Sequence, residues 1–295
     1  MFHRLARRVK RTLIGTSLLI PAALVLAAAP ASGPNPEVQA RIEQASALPT
    51  PKNAAGLTDF SGYWTNVGGF FNPTAREGAA VTAEGKTTRP IAGPEIQEHQ
   101  GNKAGVARRL ANTALRPEYK PAYAAKAKAN FDRANYLDPA FGCQPQGVPR
   151  IGVPTEIVQT PTTVYFLYQN HNIYRVVPID GRKHDPDAER LPMGDSIGHI
   201  DGDTLTVDVT SLSEGDETWL DGDGSFHSND MHVIERFTRK GNALSYQLTV
   251  EDPYFAKPFT PAARTLLLGD AKAHASEDYA CTEKDLPHMV TKERH

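Results

Sequence analysis

The chain has 295 residues, with 32 basic and 34 acidic side chains, a net charge of −2 and two cysteines. This length allows one sizeable domain, or a domain with an irregular annex. The charge argues against nucleic acid or an anionic membrane surface as a partner, because neither attracts a weakly acidic protein.

The first 31 residues have the three parts of a secretory signal peptide. A basic stretch comes first, an apolar run follows over 13–29, and Ala29-Pro30-Ala31 offers small residues to a peptidase. That run is short for a bilayer crossing and contains Pro21, which disfavours the alternative of a membrane anchor. We predict cleavage before Ser32 and a periplasmic or secreted product. Its net charge is near −7, because 27 of the 32 basic and all 34 acidic residues remain.

Residues 32–58 are rich in Ala, Pro and Ser and are predicted to form a linker with a short helix near 37–45. A first strand is predicted over 59–66. Residues 67–135 are punctuated by Gly and Pro and are predicted to be helical or irregular. Their best helix is predicted to begin at Pro117 and end near residue 133, because proline suits a first turn and the following Ala- and Lys-rich run favours helix.

From residue 155 onward, apolar and polar residues alternate with the period of two that is typical of strands. Strands are predicted over 155–159, 163–169, 172–179, 197–200, 204–209, 231–239, 243–251, 263–268 and 277–281. Short turns at 201–203 and 240–242 predict hairpins. The expected fold is mainly β: an antiparallel lipocalin-like up-and-down barrel over 136–285, with a small helical or irregular N-terminal annex over 59–135 and a tail at 286–295. A β-sandwich is the alternative.

The two cysteines are Cys143 and Cys281. In an oxidising compartment an isolated pair usually forms a disulfide, which is the prediction here. Two buried thiols, or a catalytic Cys143, are the alternatives.

Side chains suited to acid–base chemistry and ligand binding are concentrated between residues 168 and 252. Histidine is the natural acid or base near neutral pH, and a neighbouring carboxylate can orient its ring. The candidates for catalysis are His171, His227, His232, Asp195 and Asp221. The candidates for substrate binding are Tyr168, Arg175, Trp219 and Arg236. Two further carboxylates that could orient a histidine are Asp230 and Glu235.

We expect His227 and His232 to face one pocket with Asp221 or Asp195, and Arg175 or Arg236 to hold an anionic group of the substrate. The alternative is structural, since strand-end His and Asp residues often only hydrogen-bond loops.

A metal site is not predicted. Asp221, Asp223 and Ser225 have the spacing that opens a calcium loop, but Phe226 stands where a glycine turn belongs. His227 and His232 are five residues apart, and no third ligand follows at zinc-site spacing. Phosphate-binding and dinucleotide motifs are also missing from the sequence, so no cofactor is predicted.

Several short runs together carry a resemblance to a known family. They are Cys-x-Pro-x-Gly-x-Pro-Arg at 143–150 and the runs at 194–198, 202–205, 218–221, 227–228, 232–237, 252–253 and 257–258. Over about 140–283, and more loosely near Trp64, the chain resembles a poorly characterised family of exported bacterial proteins. The family is expected to form lipocalin-like barrels, and its members are frequent in bacteria that degrade aromatic compounds. Phe259 departs from the family, which tends to have Trp there.

The chain is less closely similar to the γ-formaldehyde lyases that act on phenylcoumaran dimers derived from lignin. The leading hypothesis is an exported barrel enzyme that binds a small, largely aromatic molecule and performs cofactor-free lyase or isomerase chemistry. A carrier of small lipophilic molecules is the main alternative, and a structural envelope protein is the third. Nucleic acid and stable membrane insertion are not expected.

Overall fold

The computed structural model describes residues 36–67, 80–81, 87–88, 116–215, 217–278 and 281. The predicted signal peptide lies outside the described residues. Within them, no helix is both long enough and apolar enough to cross a membrane.

The described helices are α1 (Pro36–Ser46), α2 (Pro121–Asp132) and α3 (Ala134–Leu137). Helix α1 matches the predicted helix. Helix α2 begins at Pro121 rather than at Pro117, because the residues before it pair in extended form with a distant segment. Tyr119 bridges Phe255, and the Lys120 N–H donates to the Tyr254 carbonyl over 2.9 Å.

The strands are β1 (Gly62–Asn66), β2 (Ala80–Val81), β3 (Thr87–Thr88), β4 (Glu156–Gln159), β5 (Thr163–Tyr168), β6 (Ile173–Pro178), β7 (Asp195–Asp201), β8 (Thr204–Thr210), β9 (His232–Lys240), β10 (Ala243–Glu251) and β11 (Arg264–Leu268). Among the described strands, β2 and β3 pair only with each other. The other nine form one sheet in the order β6-β5-β4-β1-β11-β10-β9-β8-β7. Residues 277, 278 and 281, which belonged to the last predicted strand, lie outside any strand.

The nine-stranded sheet curls into a nearly closed antiparallel barrel, which confirms the predicted mainly β fold. Its order departs from a strict up-and-down sequence in one respect. Strand β1 lies between β4 and β11 although it comes first in the chain, and it pairs Trp64 with Leu268 and Gly62 with Ile157. Two meanders, β4 to β6 and β7 to β11, are thus joined through the first strand.

The two end strands of the sheet, β6 and β7, meet without a ladder between them in the described part of the chain. Nine is an odd number, so strands that are antiparallel to each neighbour leave β6 and β7 running in the same direction. The two strands are nevertheless close: a Cβ on Gly198 would lie 2.9 Å from Val177 Cγ1. We call this β6–β7 junction the seam.

The barrel interior is built from the alternating buried positions of its strands. In β8, for example, Leu205, Val207 and Val209 are buried and the residues between them are not. At one end, Arg239 packs over the Trp64 ring at 5.0 Å and donates from Nε to the Gly241 carbonyl over 2.9 Å. Residues outside the nine strands belong to the same hydrophobic core as the inward residues of the barrel: Val148, Ile151, Leu212, Leu220, Met231 and Phe255.

A disulfide joins Cys143 to Cys281, with a Cα–Cα distance of 5.6 Å, and confirms the predicted bridge. It ties the segment that follows the helical annex to the C-terminal segment, across 138 residues of sequence.

Candidate functional site

Five polar side chains are buried on the inner face of the barrel, and we call them the inner polar cluster: Tyr168, Arg175, Ser196, Glu235 and Tyr246. Arg175 Nη2 lies 2.5 Å from Glu235 Oε2, with the two side chains 2% and 1% exposed. The Tyr246 hydroxyl donates to Glu235 Oε1 over 2.9 Å. A charged pair so fully withdrawn from water is costly unless further hydrogen bonds satisfy it.

The Arg175–Glu235 pair spans the interior of the barrel. Arg175 belongs to β6 and Glu235 to β9, and these strands are not neighbours in the sheet. Glu235 is inward because it alternates with Ile234 and Arg236 on β9, whose burial follows the period of two. The pair therefore joins two strands that are not neighbours in the sheet.

Several atoms of the cluster have no hydrogen-bond partner among the residues that the structure describes: Arg175 Nε and Nη1, Tyr168 Oη and Ser196 Oγ. We call these four atoms the inward donors. Against the larger effect of burial, Arg175 lowers the pKa of Tyr168 both by its charge and by a side-chain hydrogen-bond contact, but that contact lacks the geometry of an ordinary hydrogen bond within the described part of the chain. Leaving a buried polar atom unpaired costs about 1–3 kcal/mol, so such atoms are rare and call for an explanation.

The inward donors lie around the seam. Arg175 is on β6 and Tyr168 is on the neighbouring strand β5. Phe166 pairs with Arg175 and Tyr168 pairs with Ile173, so Tyr168 is diagonal to Arg175 on the same face of the sheet. Ser196 is on β7, two residues before Gly198, just as Arg175 is two residues before Val177. Since β6 and β7 run in the same direction and Gly198 lies against Val177 and Ile179, we infer that Ser196 lies level with Arg175 and Val177 across the seam.

Aromatic rings surround the ion pair. The Arg175 guanidinium carbon lies 4.9 Å from the centre of the Phe166 ring, a cation–π distance. Phe166 contacts Phe237 at 5.0 Å, and Phe237 contacts Tyr246 at 4.9 Å. The inner polar cluster thus places hydrogen-bond donors beside flat apolar ring surfaces.

Burial keeps both phenols of the cluster protonated. It raises the pKa of Tyr168, and it raises the pKa of Tyr246 well above its ordinary value, with the Glu235 charge acting in the same direction. Burial, the largest single cause, would lower the pKa of Arg175, but the charge and hydrogen bond of Glu235 together with Tyr168 and Tyr246 outweigh it, so the net shift is upward. Tyr168 and Tyr246 are therefore hydrogen-bond donors, and Arg175 stays charged.

Of the nine residues predicted for the site, the structure brings Tyr168 and Arg175 together inside the barrel. His227 lies elsewhere, buried in the loop between β8 and β9. Its Nε2 accepts from the Thr218 hydroxyl over 2.8 Å, and its Nδ1 donates to the Ser228 carbonyl over 2.9 Å. These bonds hold the ring in a fixed orientation.

Asp221 and Trp219 lie in the same loop as His227. Asp221 Oδ1 accepts from the N–H groups of Asp223 and Ser225, and Oδ2 accepts from the Ser225 hydroxyl over 2.6 Å. Burial raises the pKa of Asp221 above its ordinary value. Trp219 is buried in a small hydrophobic cluster. The other members are Ala127 of α2, Ala134 of α3 and Phe226, which lies in the same loop as Trp219.

His232 and Asp195 are on the outer face of the sheet, in a hydrogen-bonded chain with three residues not predicted for the site. His232 Nε2 lies 2.7 Å from Asp208 Oδ1, and its Nδ1 lies 3.3 Å from Glu251 Oε2. His184 connects the same Asp208 oxygen to Asp195 Oδ2, at 3.0 and 2.7 Å. The predicted common pocket of His227 and His232 is not seen: His232 lies on the outer face of β9, whereas His227 is buried in the loop between β8 and β9.

Arg236 is exposed on the outer face of β9, between the inward residues Glu235 and Phe237. His171 lies in a short 3-10 turn, Asn170–Asn172, and its side chain is outside the described part of the structure.

Ser196 and Tyr246 are members of the inner polar cluster that the sequence did not indicate, and Glu235 was considered only as a partner for histidine. A signal for Glu235 exists: it shares the β9 face with Val233 and Phe237, and a carboxylate on an apolar strand face needs a buried partner. Ser196 and Tyr246 carry no such signal, because their inward direction depends on strand register.

Among the residues that the structure describes, no group of three or more His, Cys, Asp or Glu side chains could hold a metal ion. Comparison of the chain with protein-family models, with curated proteins and with solved structures finds no match. The site must therefore be interpreted from its own geometry.

Proposed function

We propose that this protein works outside the cytoplasm and binds a small, largely aromatic molecule inside its barrel, with the polar part of that molecule at the inner polar cluster. One observation carries the proposal. Arg175 is buried in the barrel, is paired through one nitrogen, and has its other two nitrogens among the inward donors. A ligand that accepts hydrogen bonds from these atoms would remove the cost of leaving them unpaired.

Two further features support this proposal. The rings of Phe166, Phe237 and Tyr246 adjoin the polar groups and offer apolar contacts to an aromatic ligand. The disulfide suits an oxidising compartment, and the sequence begins with the anatomy of a signal peptide. The resemblance of residues 140–283 to exported lipocalin-like proteins points the same way, and we propose membership of that family.

The test is calorimetric titration of the purified protein with methoxylated aromatic compounds of one- and two-ring size. Arg175→Gln should weaken binding by about tenfold or more, because a buried hydrogen bond to a charged donor is lost. Arg236→Gln is the matched control on the outer face and should leave the dissociation constant unchanged. If Arg175→Gln bound the ligand as tightly as Arg236→Gln, the inner polar cluster would not be the binding site. If the wild-type protein bound none of the compounds, the proposed binding function would be wrong.

A second candidate function is lyase chemistry at the same cluster. It is favoured by the Glu235 carboxylate, which could act as a base beside the protonated Tyr246 in a site withdrawn from water. On a phenylcoumaran alcohol, Glu235 would take the hydroxyl proton while the adjacent C–C bond breaks and releases formaldehyde. The electron pair of that bond would form a C=C bond and expel the ring ether oxygen, to which Glu235 returns the proton.

Formaldehyde release from phenylcoumaran dimers tests this second candidate. If Glu235 is the base, Glu235→Gln should lower the rate by about 10²-fold or more. If the base is His227 or His232, as the sequence predicted, the same loss should appear in that His→Gln variant instead. A protein that binds the dimers but releases no formaldehyde is a carrier.

A further inference from the structure

The inner polar cluster also indicates the charge of its ligand, an inference that rests on the binding function proposed above. We propose that the polar group of the ligand is an uncharged hydrogen-bond acceptor, such as a carbonyl or ether oxygen, held across the seam between Arg175 and Ser196. This differs from the expectation that Arg175 holds an anionic group.

The first step of the argument concerns hydrogen-bond direction. Guanidinium nitrogens can only donate, and both hydroxyls of the inward donors carry a proton to donate. Arg175 binds Glu235 through Nη2, and its Nε and Nη1 have no hydrogen-bond partner among the described residues. The ligand atoms that meet Arg175 must therefore be acceptors, and an oxygen with two lone pairs could accept from Arg175 and Ser196 together.

The second step concerns charge. Arg175 and Glu235 compensate each other, so the centre of the barrel carries one positive and one negative group. The other fully buried charged side chains of the described residues lie away from it. Arg116 precedes helix α2 and Asp138 directly follows helix α3. Arg239 is near the C-terminal end of β9, where it contacts the Gly241 carbonyl and the Trp64 ring.

A ligand carboxylate at this centre would thus be a second buried anion without a cation of its own. Buried charges that lack a partner are strongly disfavoured, whereas a neutral acceptor satisfies the same donors without adding charge. Deprotonation of a phenol cannot alter this balance near neutral pH, since burial raises the pKa of both Tyr168 and Tyr246.

The test compares two probes of nearly equal shape, 3,4-dimethoxyacetophenone and 3,4-dimethoxybenzoate, by calorimetric titration at pH 7.5. The wild-type protein should bind the ketone at least about tenfold more tightly than the carboxylate. Glu235→Gln leaves Arg175 uncompensated and should therefore reduce this preference by about tenfold or reverse it. Glu251→Gln, a carboxylate on the outer face of the adjacent strand, is the matched control and should keep the wild-type preference.

Ser196→Ala gives an independent measurement in case Glu235→Gln does not fold. It should weaken ketone binding by about three- to tenfold, while Ser245→Ala on the outer face of β10 should have no effect. A wild-type protein that binds the carboxylate as tightly as the ketone, or more tightly, would overturn the inference and leave the binding function standing. Failure to bind either probe would overturn both.

Discussion

Arg175 is the residue on which the stability and the proposed function of the barrel interior both depend. Its charge is compensated by Glu235, and its guanidinium packs on the Phe166 ring. The carboxylate of Glu235 in turn depends on Arg175 and Tyr246 for its hydrogen bonds. Removing one partner leaves the other charged and buried.

Arg175→Met should therefore lower the free energy of unfolding by about 3–5 kcal/mol, the range for breaking one side of a buried ion pair. Urea denaturation measures it, with Arg236→Met as the matched control that should show little change. The double variant Arg175→Met/Glu235→Leu should regain most of the loss, because no buried charge remains. If the double variant were as unstable as the single one, lost packing rather than charge would be the cause.

Asp221 provides a prediction about pH. Burial raises its pKa in the folded protein above the ordinary value of 3.8, so the folded state holds this proton more tightly than the unfolded state. The resulting stabilisation of the folded state is complete when the pH is below the ordinary pKa of 3.8. It is lost as the pH rises through the raised pKa of Asp221 in the folded protein. Asp221→Asn removes this dependence. The stability of the variant relative to the wild type should therefore increase between pH 3.5 and pH 7 in urea titrations.

The control for this experiment is Asp270→Asn, an exposed turn residue whose carboxylate accepts from the Lys272 N–H. It reports the general effect of removing one carboxylate from the chain. A difference between Asp221→Asn and wild type that stays constant across this pH range would contradict the role given to burial.

The predicted histidines show why single residues are hard to interpret from sequence. His227 and His232 were selected because imidazoles and carboxylates are dense in that part of the chain. Their partners Thr218, Asp208 and Glu251 are up to 24 residues away, and strand pairing decides which of them is within reach. Density along the chain therefore identified polar residues without identifying the face of the barrel on which they lie.

At the scale of secondary structure, the seam is the distinctive element of the barrel. Its strands run in the same direction and lack the ladder that joins every other neighbouring pair of the described sheet. Side chains and the close approach at Gly198 take the place of backbone hydrogen bonds there. The added Cβ of any other residue would meet Val177 at 2.9 Å and Ile179 at 3.2 Å.

Gly198→Ala should consequently destabilise the protein by about 1–3 kcal/mol, because the inserted methyl group forces β6 and β7 apart. Thermal and urea unfolding measure the effect. Gly142→Ala is the control, since a Cβ at Gly142 would meet nothing within 4 Å. Equal stability of the two variants would show that the seam is looser than its contacts indicate.

The Cys143–Cys281 bridge is the other connection between distant elements. Replacing both cysteines by serine should lower the free energy of unfolding by about 2–5 kcal/mol, because the unfolded chain regains the freedom that a 138-residue separation otherwise restricts. Urea titrations of the double variant, compared with the oxidised wild type, test this. The wild type under reducing conditions should approach the variant, and a variant as stable as the oxidised protein would contradict the expectation.

At the scale of the whole molecule, export and the disulfide belong together. We predict that the protein recovered from the periplasm or the medium begins at Ser32 and carries the bridge, which intact-mass measurement with and without reductant would show. Alkylation before reduction should add no mass to the native protein. A mass that includes residues 1–31 would indicate a retained membrane anchor instead.

The sequence alone predicted the mainly β class of the fold and the bridge between the two cysteines, and the structure confirms both. Alternating burial is local, so the period of two located the eight strands of the sheet that follow residue 155 to within a few residues, together with both hairpin turns, and the first strand was predicted separately over 59–66. Two cysteines allow one intramolecular pairing. The strands follow from the order of residues along the chain, and the bridge follows because two cysteines can pair within one chain in only one way.

Tertiary structure decided the rest. The start of α2 moved to Pro121 because Tyr119 pairs with the distant Phe255. Strand β1 entered the middle of the sheet, and register turned Glu235 and Tyr246 towards Arg175 while leaving Arg236 outside. A shift of one residue in a strand exchanges its two faces, and local pattern cannot choose between faces that both mix charged and apolar residues. The candidate site is made by that choice, since its members come from β5, β6, β7, β9 and β10 and meet only when the barrel closes.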